Sequence, residues 1–185
     1  SIRQAIGVAA LSLHADPTRI MTMQLHDRNG LYGDVLHPGG FLYTPPRELF
    51  DGASVLLPIS IPEFPISWKQ VHTLSSFLLH HRFPYIDAPK ITILNAGAPP
   101  GSAAKLAREL IRYGFDISDT GNVSEKRNTS LLESAHPPSP AATFFGSFLN
   151  MGLTSSDSAS PHTLTILLGK DYRYTPFQSL ALPQL

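Results

Sequence analysis

The pattern of apolar and polar positions is clearest between Lys90 and Tyr172. Ile91, Ile93 and Leu94 form a short run rich in β-branched residues, which predicts a strand. Gly97, Pro99, Pro100 and Gly101 break the run. Ser102 then reads as the N-cap of a helix, with Ala103, Leu106, Ala107, Leu110 and Ile111 at helical spacing. Gly114 falls where a helix C-terminal glycine belongs, and Phe115 to Ile117 starts a second strand. The pattern returns at an offset of 38 residues, from Ile91 to Thr129. Leu94 falls on Leu132, Pro99-Pro100 on Pro137-Pro138, Ala103-Ala104 on Ala141-Ala142, and Gly114 on Gly152. The second helix starts near Ser139, with Pro140 tolerated in its first turn. Thr163 to Leu168 is a last strand.

A unit made twice in this way predicts a β-α-β-β-α-β order and an α+β fold, an α/β sandwich of ferredoxin-like type. The expected sheet has four strands and both helices on one face. Strands 91–95 and 129–133 are expected side by side and parallel in its centre. Both strand-to-helix turns would then open at the same sheet edge.

The rest of the chain is less regular. Ser1 to Ala15 reads as a helix closed by Asp16-Pro17, Thr18 to Leu25 as a strand, and Asp27 to Gly30 as a turn. Leu31 to Leu36 is a weak strand, Leu36 to Glu48 a loop, and Ala53 to Leu57 a short buried strand. Ser67 to Arg82 is an amphipathic helix with Ser67 as N-cap and a stripe of Trp68, Val71, Leu74, Phe77 and Leu78. Phe83 to Pro89 reads as a semi-rigid linker. The expected division is an α+β segment over 1–58, a helix and linker over 59–89, a repeat domain over 90–172 and a tail over 173–185.

Seventeen prolines and thirteen glycines suit short elements and ordered turns. Charged residues are only 15% of the chain and the formal net charge is zero, which argues against a nucleic-acid partner held by bulk charge. There is no cysteine, so disulfides, thiol catalysis and cysteine-ligated zinc are excluded. No apolar run reaches membrane-span length, so any membrane link is expected through an anchor outside this chain. The eight histidines are scattered, and adjacent His80 and His81 point about 100° apart on a helix, so no metal site and no cofactor is expected.

The stretches ITILNAGAPPGSAAKLARELIRYGF and LTILLGKDY resemble the two ends of LytR_C, the C-terminal module of LytR/CpsA/Psr proteins. That module pairs a strand ending in LNG and a helix ending in GF with a last strand ending in GKD. Ala96-Gly97 replaces the usual Gly-Thr after Asn95. The resemblance implies an extracytoplasmic, cell-envelope setting and a non-catalytic module that binds cell-wall glycopolymer or an envelope protein. The resemblance further implies that the module is appended to a protein that attaches glycopolymers to the wall. The alternatives it leaves are a part of that ligase's catalytic unit, with residues 1–58 as its tail, and an envelope-related transcriptional regulator. The family's catalytic SIPRD stretch is not reproduced: Ser60-Ile61-Pro62 is followed by Glu63-Phe64, and no catalytic role is carried over. The chain alone is expected not to process polyprenyl pyrophosphates.

The remaining candidate chemistry lies in the two turns. A helix N-terminus offers free N–H groups and a partial positive charge to an anion. The candidate anion or glycan site is Asn95, Gly97, Gly101, Ser102 and Lys105, with His136 joining from the second turn. The simpler reading is that Pro-Pro and Gly merely turn a strand into a helix.

Overall fold

The computed structural model describes residues 40–58, 68–135, 137–156 and 159–183. The expected elements over 1–36 lie outside these residues, as do Ser67 and His136. The elements are β1 (Leu42–Tyr43), β2 (Leu57–Pro58), α1 (Lys69–His80), α2 (Phe83–Asp87), β3 (Lys90–Asn95), α3 (Ser102–Arg112), β4 (Ile117–Asn122), β5 (Leu131–Ala135), α4 (Pro140–Phe148), β6 (Gly152–Ser156) and β7 (Thr163–Leu168). Short 3-10 turns cover Arg47–Phe50 and Phe177–Ser179.

The α+β class stands, but the βαββαβ order gains a strand. Five strands lie in the order β4-β3-β7-β5-β6. Each repeat copy closes a complete βαβ unit: β3 and β4 are adjacent and parallel, and so are β5 and β6. β7 lies between the two units, parallel to β3 and antiparallel to β5. The expectation that strands 91–95 and 129–133 pair in parallel is therefore corrected. They are separated by β7 and run in opposite directions. The physical reason is burial. β7 is the most apolar strand, with Leu164, Ile166 and Leu168 buried on one face and Leu167 on the other, so it takes the centre. The missed strand, β6, reads GLTSS and has no apolar alternation to reveal it.

Helix ends explain most of the boundary differences. α1 begins one residue later than expected, with Trp68 as N-cap and no side-chain cap. Leu74 and Phe77 are buried and Val71 and Leu78 pack beside them, but Trp68 is half exposed and leaves the stripe. The cap of α3 is Gly101 at φ 80°, not Ser102, which is its first residue and is buried. Gly114 does terminate α3, with Phe115 N–H bonded to Leu110 O and Gly114 N–H to Ile111 O. In the second copy the left-handed position is filled by Asn150, not Gly152, because α4 stops earlier. Ser139 caps α4 as expected, its hydroxyl accepting from Ala142 N–H at 3.2 Å. Within the expected loop at 36–48, Leu42–Tyr43 forms a strand with Leu57–Pro58, while most of 53–57 is irregular and exposed.

Residues 83–87 form a helix fixed to the domain rather than an open linker. The Tyr85 ring stacks on Phe115 at 4.8 Å, and its hydroxyl donates to Tyr113 O at 2.9 Å. The core lies between one face of the sheet and the helices. Phe77 of α1 sits at its centre, within 5.1–6.3 Å of the rings of Tyr113, Phe115, Phe144, Phe148 and Phe177. Since Tyr113 follows α3 and Phe148 ends α4, both helices cover the same face, as expected. The segment after Tyr172 is part of this core. Phe177 is fully buried, and buried Glu109 accepts from Phe177 N–H at 2.9 Å and from the Tyr174 hydroxyl at 3.2 Å.

Candidate anion-binding cleft

β3, β4 and β7 all end at one edge of the sheet. Here Asn95 makes a closed turn: its side chain accepts from Gly97 N–H at 2.9 Å and donates to Ala98 O at 3.1 Å. Ala96 N–H bonds to Leu168 O, which ties the end of β3 to the end of β7. Between them passes the connection from β4 to β5. Arg127 N–H donates to Ala96 O, and Lys170 N–H to Arg127 O. A Cβ on Gly97, at φ 139°, would lie 3.0 Å from Arg127 O. One on Gly169 would lie 2.5 Å from the Thr129 carbonyl carbon. Asp171 then holds the passing chain, accepting from Ser130 N–H at 2.8 Å and its hydroxyl at 2.7 Å. Asn95-Ala96-Gly97 and Gly169-Lys170-Asp171 are thus two halves of one clamp, brought together because β3 and β7 are neighbours.

Residues 88–172 match the family model LytR_C, described as LytR cell envelope-related transcriptional attenuator. This segment is a LytR_C domain. No curated protein and no solved structure matches the chain. The LytR_C match runs from Ala88, just after α2, to the clamp at Gly169–Asp171, while α1, α2 and the Phe177 segment that complete its core lie outside it.

The clamp of the LytR_C domain borders a cleft of about 560 Å³ lined by Asn95, Gly97, Ala98, Pro100, Gly101, Asn122, Lys126 and Lys170. Three candidate residues, Asn95, Gly97 and Gly101, are in this lining. Asn95 is buried with both polar ends of its amide engaged, so its part is to shape the turn. Ser102 is buried behind the turn. Lys105 leans over the Tyr174 ring, 5.9 Å from its centre, and does not line the cleft. Two cations replace it that pattern reading missed. Lys126 lies past β4 with its Nζ 3.3 Å from Val123 O, and Lys170 is the middle residue of the clamp. Only the GKD likeness pointed to Lys170, and nothing in the local pattern marked Lys126.

The expected meeting of the two turns is corrected. Because β5 runs against β7, the start of α4 lies at the opposite edge of the sheet from Gly97. That helix start is also occupied: the Asp87 carboxylate accepts from Ala141 N–H at 2.7 Å. It shows what an anion does at such a position, from within the chain. Among the described residues no cluster of three or more His, Asp or Glu residues suits a metal. No helix among them is long and apolar enough to cross a membrane.

Proposed function

We propose that the LytR_C domain is a non-catalytic module that binds an anionic cell-wall glycopolymer at the cleft, on the outer side of the membrane. The supporting observation is the pairing of Lys126 and Lys170 in one concave lining with Gly97 of the Asn95 turn and Gly101, the N-cap of α3. Two fixed positive charges, an open lining and a helix N-terminus suit a phosphodiester or carboxylate of a polymer chain. Each exposed contact contributes only about 0.3–1 kcal/mol, so one repeat unit binds weakly and repetition along the polymer supplies the rest. Among the described residues, the cleft lining contains no carboxylate, histidine or hydroxyl side chain, which favours holding over turnover.

The test is a titration of poly(glycerol phosphate) and of polygalacturonate against the wild type and a Lys126→Glu, Lys170→Glu variant. The wild type is expected to bind one of the two polymers, with affinity falling as salt rises, and the variant to lose at least about tenfold. Equal affinity in both proteins, or binding in neither, removes the proposal.

A further inference from the structure

The edge of the sheet opposite the cleft carries a different surface. α1 ends at His80 and the chain turns at His81, which is buried and packs on the Phe144 ring at 5.4 Å. α2 follows at once. Its inner side is fixed three times: Pro84 is buried, Tyr85 stacks on Phe115, and Asp87 caps α4. Its other side therefore cannot turn inward. Phe83 and Ile86, three residues apart on one helical face, stand 50% and 60% exposed, and Leu79 on the last turn of α1 is 73% exposed. Exposed Arg82 separates Leu79 from Phe83, and exposed Lys90 opens β3 just beyond. The Asp87 carboxylate is spent on Ala141, which among the described residues leaves the exposed Asp116 at this edge against Arg82 and Lys90.

We propose that this corner rests on an anionic lipid surface, with Leu79, Phe83 and Ile86 in the boundary between headgroups and acyl chains and Arg82 and Lys90 among the phosphates. Three apolar side chains fall well short of the roughly 800 Å² per partner of a stable protein interface. They suffice for peripheral membrane contact when cations flank them. The rigid mount matters too, because no ordering of α2 is needed on contact. Six residues of β3 at about 3.3 Å each set the cleft roughly 20 Å from this edge, facing away from the bilayer.

The test is sedimentation of the whole chain with phosphatidylglycerol-containing vesicles and with phosphatidylcholine vesicles. The variants are Leu79→Ser, Phe83→Ser, Ile86→Ser together, and Arg82→Glu, Lys90→Glu together. Both change exposed side chains, and a thermal melt checks their fold. The wild type is expected to partition onto the anionic vesicles, the triple variant to lose about tenfold or more, and the charge variant to lose its preference for anionic lipid. Wild type and triple variant bound equally, or neither bound, overturns the proposal. A wild-type dimer that the triple variant abolishes, without lipid binding, overturns it in favour of a second copy of the chain as the occupant.

Discussion

Glu109 is the most exposed test of how the segment beyond Tyr172 is held. The residue is 5% exposed, and its carboxylate accepts two hydrogen bonds from that segment, at 2.9 Å from Phe177 N and 3.2 Å from the Tyr174 hydroxyl. Glu109→Ala removes both acceptors and leaves a buried amide and a half-buried phenol without partners. Hydrogen bonds to a charged group contribute about 1.5–3 kcal/mol, and an abandoned buried donor costs about 1–3 kcal/mol. The two donors share one acceptor group and do not add, so the expected loss is about 3 kcal/mol. For a domain of this size that lowers Tm by roughly 10–15 °C. Glu109→Gln keeps an acceptor oxygen and is expected to cost about 1 kcal/mol.

Phe177→Ala empties a fully enclosed aromatic site and is expected to cost about 3–5 kcal/mol alone. If Glu109 acts by seating Phe177, the double variant Glu109→Ala, Phe177→Ala loses clearly less than the sum of the two. Urea melts of all four proteins measure this. Additive losses, or a Glu109→Ala loss below about 1 kcal/mol, would refute the reasoning.

Asp87→Ala strips the carboxylate from the α4 N-terminus and is expected to cost about 1–2 kcal/mol in a urea melt, with Asp87→Asn recovering part of it. Gly169→Ala puts a methyl group against the Thr129 backbone, which has no flexible side chain to yield, so the 127–130 connection should lose amide exchange protection. His81 has its pKa lowered by burial first and by the neighbouring His80 second. The unfolded chain therefore takes up the proton earlier as pH falls below about 6.5, and stability declines on the acid side of that value but not above it. His81→Phe is expected to flatten the stability profile between pH 5 and 7, against a wild-type slope of at most about 1.4 kcal/mol per pH unit from this group, measured by urea melts.

The repeat is legible because each copy carries its own punctuation. Pro-Pro breaks each strand, a small residue starts each helix, and Gly114 or Asn150 ends it. What local pattern does not carry is how the copies associate. That is decided by β7, whose apolar residues on both faces claim the centre of the sheet and drive the copies apart. The error over the two turns follows directly, since a reversed β5 sends its helix start to the far edge. β6 escapes notice because an edge strand needs no apolar face. The structural carboxylates Asp87 and Glu109 are equally silent, because each works on a backbone amide distant in sequence, Ala141 or Phe177. For the cleft, the glycines are legible as turn residues, but Lys126 joins them only through the register of β3 with β4.

The central claim is that the cleft of the LytR_C domain holds an anionic polymer. Backbone amide NMR of the chain during titration with short poly(glycerol phosphate) or polygalacturonate fragments tests it most directly. The account predicts salt-sensitive shifts at Gly97, Gly101, Lys126 and Lys170, which line the cleft, and none at Ala141 or Ala142, which lie at the opposite edge of the sheet. Shifts centred on Ala141, or a spectrum unchanged by either polymer, would contradict it.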